Sequence, residues 1–179
     1  MRRLLLLSLA ALPACASSSS SSGTARPATQ TIGSSSVGSV TVSATSNADV
    51  SHLPYSVDAV WSILPSTYDS VGIPVNTLDH ARKSIGNGGY KTRSRLGKAP
   101  LSRYLDCGNT QIGPNADSYD VFLSVITTVS PEGTNGSTLV TIVDAQSRPA
   151  TYNQAYSRCF SKGGIEIRIA DLVKARLSR

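Results

Sequence analysis

The sequence contains few of the residue types from which catalytic and metal-binding sites are usually built. Its 179 residues include two histidines, three cysteines, one tryptophan and one methionine. His52 and His80 stand in no recognisable motif, and the cysteines lack the paired spacing that metal chelation prefers. We therefore predict that the chain holds no metal ion and no other cofactor, and that it is not an enzyme.

The chain also lacks an apolar run long enough to form a membrane-spanning helix. The run at its beginning, Leu4–Leu12, has about nine residues, whereas a spanning helix needs roughly twenty. It follows two arginines and precedes several small residues, which is the layout of a secretory signal peptide. We predict that residues 1–14 are a leader that is removed.

The end of this leader, Leu12-Pro13-Ala14-Cys15, resembles the lipobox of bacterial lipoproteins. The resemblance implies a diacylglycerol thioether on Cys15 and an acylated amino group. Because Ala16 rather than an aspartate follows the cysteine, it also implies the outer membrane, with the domain in the periplasm or at the cell surface. Several acyl chains would hold the protein firmly on a bilayer. The alternative is an ordinary signal peptide that is cut near Ala14 or Ala16.

Serine, glycine and threonine dominate the stretch after the first cysteine. Such a segment cannot bury enough apolar surface to offset the entropy of ordering it. We therefore predict a disordered tether over residues 15–39 and a single globular domain over residues 40–179. Removal of Arg2 and Arg3 lowers the basic count from 17 to 15, and against 11 acidic residues this leaves a net charge of +4.

Apolar residues at steps of three and four predict two amphipathic helices. The first covers residues 56–73, with Ser56 as its N-cap and Gly72 at its end. Pro65 is expected to kink this helix or to mark an irregular turn. The second helix is "GGIEIRIADLVKARL", and its basic last turn suits a helix C-terminus.

Alternation of apolar and polar residues predicts strands before and between these helices. The first is expected at residues 39–45, a short one at 74–79, and a third, loosened by glycines, at 84–96. The clearest pattern is a hairpin of "SYDVFLSVITTVS" and "STLVTIVDAQS" around "PEGTNG". The order predicts an α+β fold, an antiparallel sheet of about four to five strands with two helices packed on one face.

Two cysteines, Cys107 and Cys159, remain once the first is assigned to the lipid anchor. An exported domain lies in an oxidising compartment, so we predict a disulfide between them. In the chain-entropy model it contributes about 4 kcal/mol. Two catalytic alternatives are a nucleophilic Cys107 with His52 or His80 as its base, and a hydrolase site that joins His80, Asp106 and a serine.

Seven cations and no acid lie between His80 and Leu105. Their summed field attracts anions such as lipid phosphates, acidic peptidoglycan or an acidic protein. The alternative is a solvated hairpin whose polar face happens to use cations. Nucleic acid is not expected as a partner, because aromatic residues are sparse here. The candidate anion-binding residues are Arg82, Lys83, Lys91, Arg93, Arg95, Lys98 and Arg103.

The order of these elements resembles that of helix-grip domains. The resemblance rests on the helix with "VWSIL", its end "VGIPV", the glycine-broken hairpin, the long hairpin and the C-terminal helix, and it covers most of Val40–Leu177. Similar domains occur in envelope lipoproteins, among them the lipoprotein C subunit of the machinery that assembles outer-membrane barrels. The resemblance implies an architecture and a compartment, and it assigns no functional residue.

We therefore predict a non-enzymatic envelope lipoprotein that acts as a binding or scaffolding module at the outer membrane. The expected partners are the membrane, through the lipid anchor, and envelope proteins or anionic envelope polymers. The alternative is a small-molecule or lipid-binding module, with a pocket between helix and sheet lined by Trp61, Leu64 and Tyr68.

Overall fold

The computed structural model describes residues 48–151 and 153–179. The predicted leader, Cys15, the tether and the strand predicted at residues 39–45 lie outside the described residues. Along the described chain the elements are β1 (Asp49–Leu53), α1 (Val57–Val71), β2 (Thr77–Asp79), β3 (Ser84–Arg93), β4 (Arg95–Leu96), β5 (Ala99–Pro100), a 3₁₀ turn (Leu101–Arg103), β6 (Leu105–Asp106), β7 (Asn109–Thr110), β8 (Gly113–Pro114), α2 (Asn115–Ser118), β9 (Asp120–Glu132), β10 (Gly136–Arg148), β11 (Ser157–Ser161) and α3 (Gly164–Leu177).

The hairpin of β9 and β10 forms the centre of the sheet. The strands pair antiparallel over their full length, from Glu132 opposite Gly136 to Asp120 opposite Arg148. Successive side chains of a strand point to opposite faces, and here the odd-numbered ones, such as Leu123, are buried beneath the helices. The hairpin predicted from the alternating pattern is present.

The central hairpin belongs to a seven-stranded sheet in the order β2-β3-β9-β10-β11-β6, and β1 also pairs with β10. β1 lies opposite residues 137–141 of β10, whereas β11 lies opposite residues 145–147 on the same edge. The α+β class with a large antiparallel sheet is confirmed, but the predicted number of four to five strands is too low. β1, β6 and β11 have five residues or fewer, which is too short for alternation to reveal them.

Helix α1 lies within the predicted range, and its predicted capping residues, Ser56 and Gly72, are confirmed. The Ser56 hydroxyl accepts a hydrogen bond from the Ala59 amide at 3.3 Å, which satisfies one of the unpaired donors of the first turn. Gly72 adopts the left-handed conformation, with φ of 85°, and closes the last turn. The helix does not end at Pro65, which lies within it on the exposed side.

The helices α1 and α3 contact each other and cover one face of the sheet. α1 contacts β9 and β3, while α3 contacts β10 and β1. Val60, Leu64 and Tyr68 of α1 are fully buried in this layer, as are Ile165 and Ile169 of α3. The tryptophan of α1, which belongs to the same apolar stripe, is only half-buried at the edge of the core. All described residues fall within one compact unit of the chain.

Candidate functional site

The structure joins Cys107 and Cys159, whose sulfur atoms lie 2.03 Å apart. Cys159 lies on β11 and is buried opposite Ala145 of β10, and Cys107 directly follows β6, the neighbour of β11 at the edge of the sheet. The bridge therefore links the two strands of this edge covalently. A nucleophilic role for Cys107 is not compatible with this bond, because its thiol is consumed.

The two histidines contact different neighbours. His52 Nδ1 lies 2.7 Å from the carboxylate of Glu132 at the end of the central hairpin, and this contact lowers the pKa of Glu132. The ring of His80 packs edge-on against Trp61, with 5.6 Å between centroids. Asp106 accepts a hydrogen bond from the amide of Gly108. Among the described residues, no group of three or more His, Cys, Asp or Glu could hold a metal ion.

The structure distributes the seven candidate anion-binding residues over several places. β3 separates Lys83 from Arg93 by ten residues, roughly 30 Å of extended strand. Carboxylates from outside the acid-free stretch pair with four of the seven cations, two of which share one carboxylate, so the set does not form one anion site. The pairs are Arg82 with Asp79 at 3.8 Å, Lys83 with Asp58 at 3.0 Å, Lys91 with Asp120 at 2.7 Å, and Arg93 with Asp120.

Asp120 lies at the centre of the strongest of these clusters. Its side chain is 7% exposed and accepts hydrogen bonds from Lys91 Nζ and from Arg93 Nε, at 2.7 and 2.8 Å. Hydrogen bonds from Lys91, and then from Arg93, hold the pKa of Asp120 below its usual value. No carboxylate within the described ranges pairs with the remaining three cations, Arg95, Lys98 and Arg103.

Side chains fill the space between α1 and the sheet at the position of the predicted ligand pocket. Leu64 and Tyr68 are fully buried, and the Tyr68 hydroxyl bonds to Thr127 of β9 at 2.7 Å. Burial raises the pKa of Tyr68 above its usual value. Trp61 packs against His80 and lies 5.6 Å from the ammonium of Lys83.

The face of the sheet away from the helices carries exposed apolar side chains. In the register of the strands, Ile126 lies opposite Ile142, and Val140 lies opposite Val50. Phe122, Ile142 and Val50 are 41, 42 and 47% exposed. Phe160 of β11 is 62% exposed and alternates with the buried cysteine of its strand, so it belongs to the same surface. We call this surface the open face, and its apolar residues are Val50, Phe122, Ile126, Val140, Ile142 and Phe160.

Charged residues border one end of the open face. Arg93 lies opposite Asp120, and Asp120 lies opposite Arg148, whose guanidinium is 4.7 Å from the centre of the Tyr156 ring. Lys91 lies opposite the phenylalanine of the open face in the next row. Three cations therefore surround one carboxylate at this end, which leaves the border positive.

Sequence reasoning missed the open face. Its signal lies in the hairpin strands, where "VFLSVI" and "LVTIV" contain apolar residues at even as well as odd positions, interrupted only by Ser124 and Thr141. A strand that is buried on one face only would place polar residues at the even positions. Unbroken apolar runs are also found in strands that are buried on both faces, so the pattern alone cannot identify an exposed surface.

Comparisons of the chain with models of known families, with curated proteins and with solved structures find no match. The resemblances to lipobox lipoproteins and to helix-grip domains therefore stay predictions. No helix in residues 48–151 and 153–179 is long and apolar enough to cross a membrane.

Proposed function

We propose that this protein is a non-enzymatic envelope lipoprotein, anchored to the outer membrane through Cys15, whose domain docks a partner protein on the open face. The single observation that carries the proposal is the exposed apolar surface of the sheet. Monomeric soluble domains rarely expose large contiguous apolar patches, and such patches mark interaction sites. Four of its six apolar residues lie on the two long central strands, and the other two lie on the short strands β1 and β11.

The border of the open face indicates the chemistry of the partner. Its apolar side chains, such as Phe122 and Ile142, lie on either side of a polar row formed by Ser124 and Asp144. They suit the apolar side chains of another protein, since aromatic and aliphatic anchors dominate protein interfaces. Arg93 and Arg148 at one end are complementary to carboxylates. The proposed partner is therefore an envelope protein that presents an apolar segment ending in acidic residues.

Two features support the envelope as the compartment. A disulfide persists in oxidising surroundings such as the periplasm. The leader and the lipobox-like stretch add an export signal and an anchoring site. A Cys15→Ala variant is expected to leave the membrane fraction of lysed cells, because it cannot carry the acyl chains. If this variant still fractionates with the membranes, the anchor is elsewhere.

Docking is tested by photocrosslinking in intact cells. A photoreactive amino acid at Ile142 lies at the centre of the open face, whereas the same group at Asp69 lies on the exposed side of α1. We expect a discrete adduct with one envelope protein from position 142 and none from position 69. Equal adducts from both positions, or none from position 142, would contradict docking on this face.

A matched pair of charge substitutions tests the same surface. Ile142 and Val75 are 42 and 41% exposed, but Val75 lies in the connection between α1 and β2 and not on the open face. Ile142→Glu is expected to abolish a crosslink that forms from position 122, while Val75→Glu leaves it unchanged. Crosslinking that survives Ile142→Glu at full yield would show that the apolar side chains of the open face do not bind the partner.

A further inference from the structure

A second apolar surface forms a groove between the 3₁₀ turn and α3, away from the open face. Its volume is about 610 Å³, which lies within the range of small-molecule sites. Tyr104, directly after the 3₁₀ turn, and one side of α3 form its walls. The lining residues are Arg103, Tyr104, Gly164, Ile167, Arg168, Asp171, Leu172 and Ala175.

The spacing of the α3 residues shows that the groove follows one face of this helix. They recur at steps of three and four from Gly164 to Ala175, a length of about 16 Å. A Cβ atom at position 164 would lie 3.0 Å from the ring of Tyr104. Glycine at this position therefore allows the ring and the helix to approach closely and shape one end of the groove.

The floor of the groove is apolar. Tyr104 is 4% exposed and Leu172 is half-buried, whereas Ile167 is 54% exposed. A branched aliphatic side chain of this exposure on a helix gains free energy when an apolar group covers it. The groove therefore offers an elongated apolar track beside α3.

Two guanidinium groups lie on the rim of this track. Arg103 and Arg168 are exposed, and within the described part of the chain neither forms an ion pair. Asp171 also lines the groove, and it likewise forms no ion pair there. Two cations against one carboxylate leave the groove with a net positive charge.

We propose that this groove binds a single-chain anionic amphiphile, with its acyl or alkyl chain along α3 and its phosphate or carboxylate between Arg103 and Arg168. Guanidinium groups bind such anions through paired hydrogen bonds of fixed geometry. The chain covers Ile167 and Leu172 and contacts the ring of Tyr104. A free phosphate would leave the apolar floor of the groove exposed. A concave groove fits a single acyl chain better than it fits the flat surface of a bilayer.

The proposal is tested by titration with dodecyl phosphate, kept below the concentration at which it forms micelles. The full mature chain is used with Cys15→Ala, so that no detergent competes for the groove. We expect saturable heat of binding, and amide shifts in nuclear magnetic resonance spectra confined to Gly164, Ile167, Arg168 and Leu172. Inorganic phosphate and dodecanol, each of which supplies one half of the amphiphile, are expected to bind at least tenfold more weakly.

Matched variants separate the role of the rim from a general effect of charge. Arg103→Gln with Arg168→Gln is expected to weaken binding of dodecyl phosphate at least tenfold. Lys174→Gln removes a cation from the same helix outside the groove, and it is expected to leave the affinity unchanged. If the double variant does not fold, Ile167→Ser replaces it and is expected to weaken binding through the loss of chain contact.

Several outcomes would overturn the proposal. Unchanged affinity of the rim variant, or amide shifts elsewhere in the domain, would show that the amphiphile does not bind here. Equal binding of inorganic phosphate would indicate an anion site alone. Binding to phosphatidylglycerol vesicles without binding of monomeric dodecyl phosphate would assign the surface to a bilayer.

Discussion

Three buried hydroxyl groups link α1 to the central hairpin, and Thr127 lies in the middle of them. Its hydroxyl is 2.7 Å from the hydroxyl of Tyr68 on α1 and 2.9 Å from that of Thr141 on β10. All three residues are almost completely buried. The Thr127→Val substitution keeps the shape of the side chain but removes both hydrogen bonds.

Thr127 lies in the middle of the three hydroxyl groups, and this position sets how much free energy of unfolding the substitution removes. A buried polar group that loses its partner costs about 1–3 kcal/mol, whereas loss of an ordinary hydrogen bond costs about 0.5–1.5 kcal/mol. Thr127→Val leaves two hydroxyls to find new partners, and the Tyr68 hydroxyl keeps the carbonyl of Val125, at 3.5 Å, and the backbone of residue 127 as neighbours. We therefore expect Thr127→Val to lower the free energy of unfolding by about 2–4 kcal/mol. Tyr68→Phe leaves Thr127 bonded to Thr141, and we expect a loss of about 1 kcal/mol.

Urea unfolding with the disulfide intact, followed by far-ultraviolet circular dichroism, measures these differences. Thr128→Val is the matched control, since this neighbouring threonine is half-buried on the other face and makes only a 3.3 Å hydrogen bond to Ser84. We expect the control to change the free energy of unfolding by at most about 0.5 kcal/mol. If Thr127→Val lowers the free energy of unfolding no more than Tyr68→Phe does, the three linked hydroxyl groups do not stabilise the packing of α1.

Three further predictions concern charge, backbone and covalent structure. The lowered pKa of Asp120 means that its contribution to stability is present above about pH 4 and is lost as the pH falls through the folded-state value. Asp120→Asn should therefore flatten the dependence of the unfolding free energy on pH in this acidic range, and an unchanged slope would contradict the pairing. A Cβ at Gly86 would lie 2.0 Å from a backbone carbonyl oxygen of β9, so Gly86→Ala should strongly lower the melting temperature. Gly88→Ala, with its nearest atom 3.9 Å away, should change it little. Removal of the disulfide by Cys107→Ser with Cys159→Ser should cost about 4 kcal/mol in urea unfolding, and a loss below about 1 kcal/mol would show that the bridge adds little.

Helix α1 and the central hairpin could be predicted because their signals are local. Ser56 and Gly72 mark the ends of α1, and its apolar stripe repeats at steps of three and four. The hairpin strands each contain thirteen residues, enough for alternation to appear. β1 and β11 could not be predicted, because such short strands exist only where the edge of β10 offers them a partner.

The basic stretch shows why the candidate site was harder to predict than the fold. Its cations lie in one continuous stretch of the sequence, but Asp58 and Asp120, which pair with three of them, lie far outside the stretch and reach it only in the folded chain. Asp79 is a local partner, three residues before Arg82. Arg103 forms no ion pair with a described residue and lines a groove with α3, some sixty residues further along the chain. A count of charges along the sequence could not distinguish the cations that pair with a carboxylate from those that do not.

The sequence by itself determined the periodic elements, the pair of cysteines left for a disulfide and the lipobox-like stretch that motivates the proposed anchor. Each of these depends on residues that are close in the chain or on composition. Only the tertiary structure decided which apolar residues are exposed on the open face and which cations remain unpaired along α3. These properties depend on strand register and helix packing, which bring together residues that are distant in sequence.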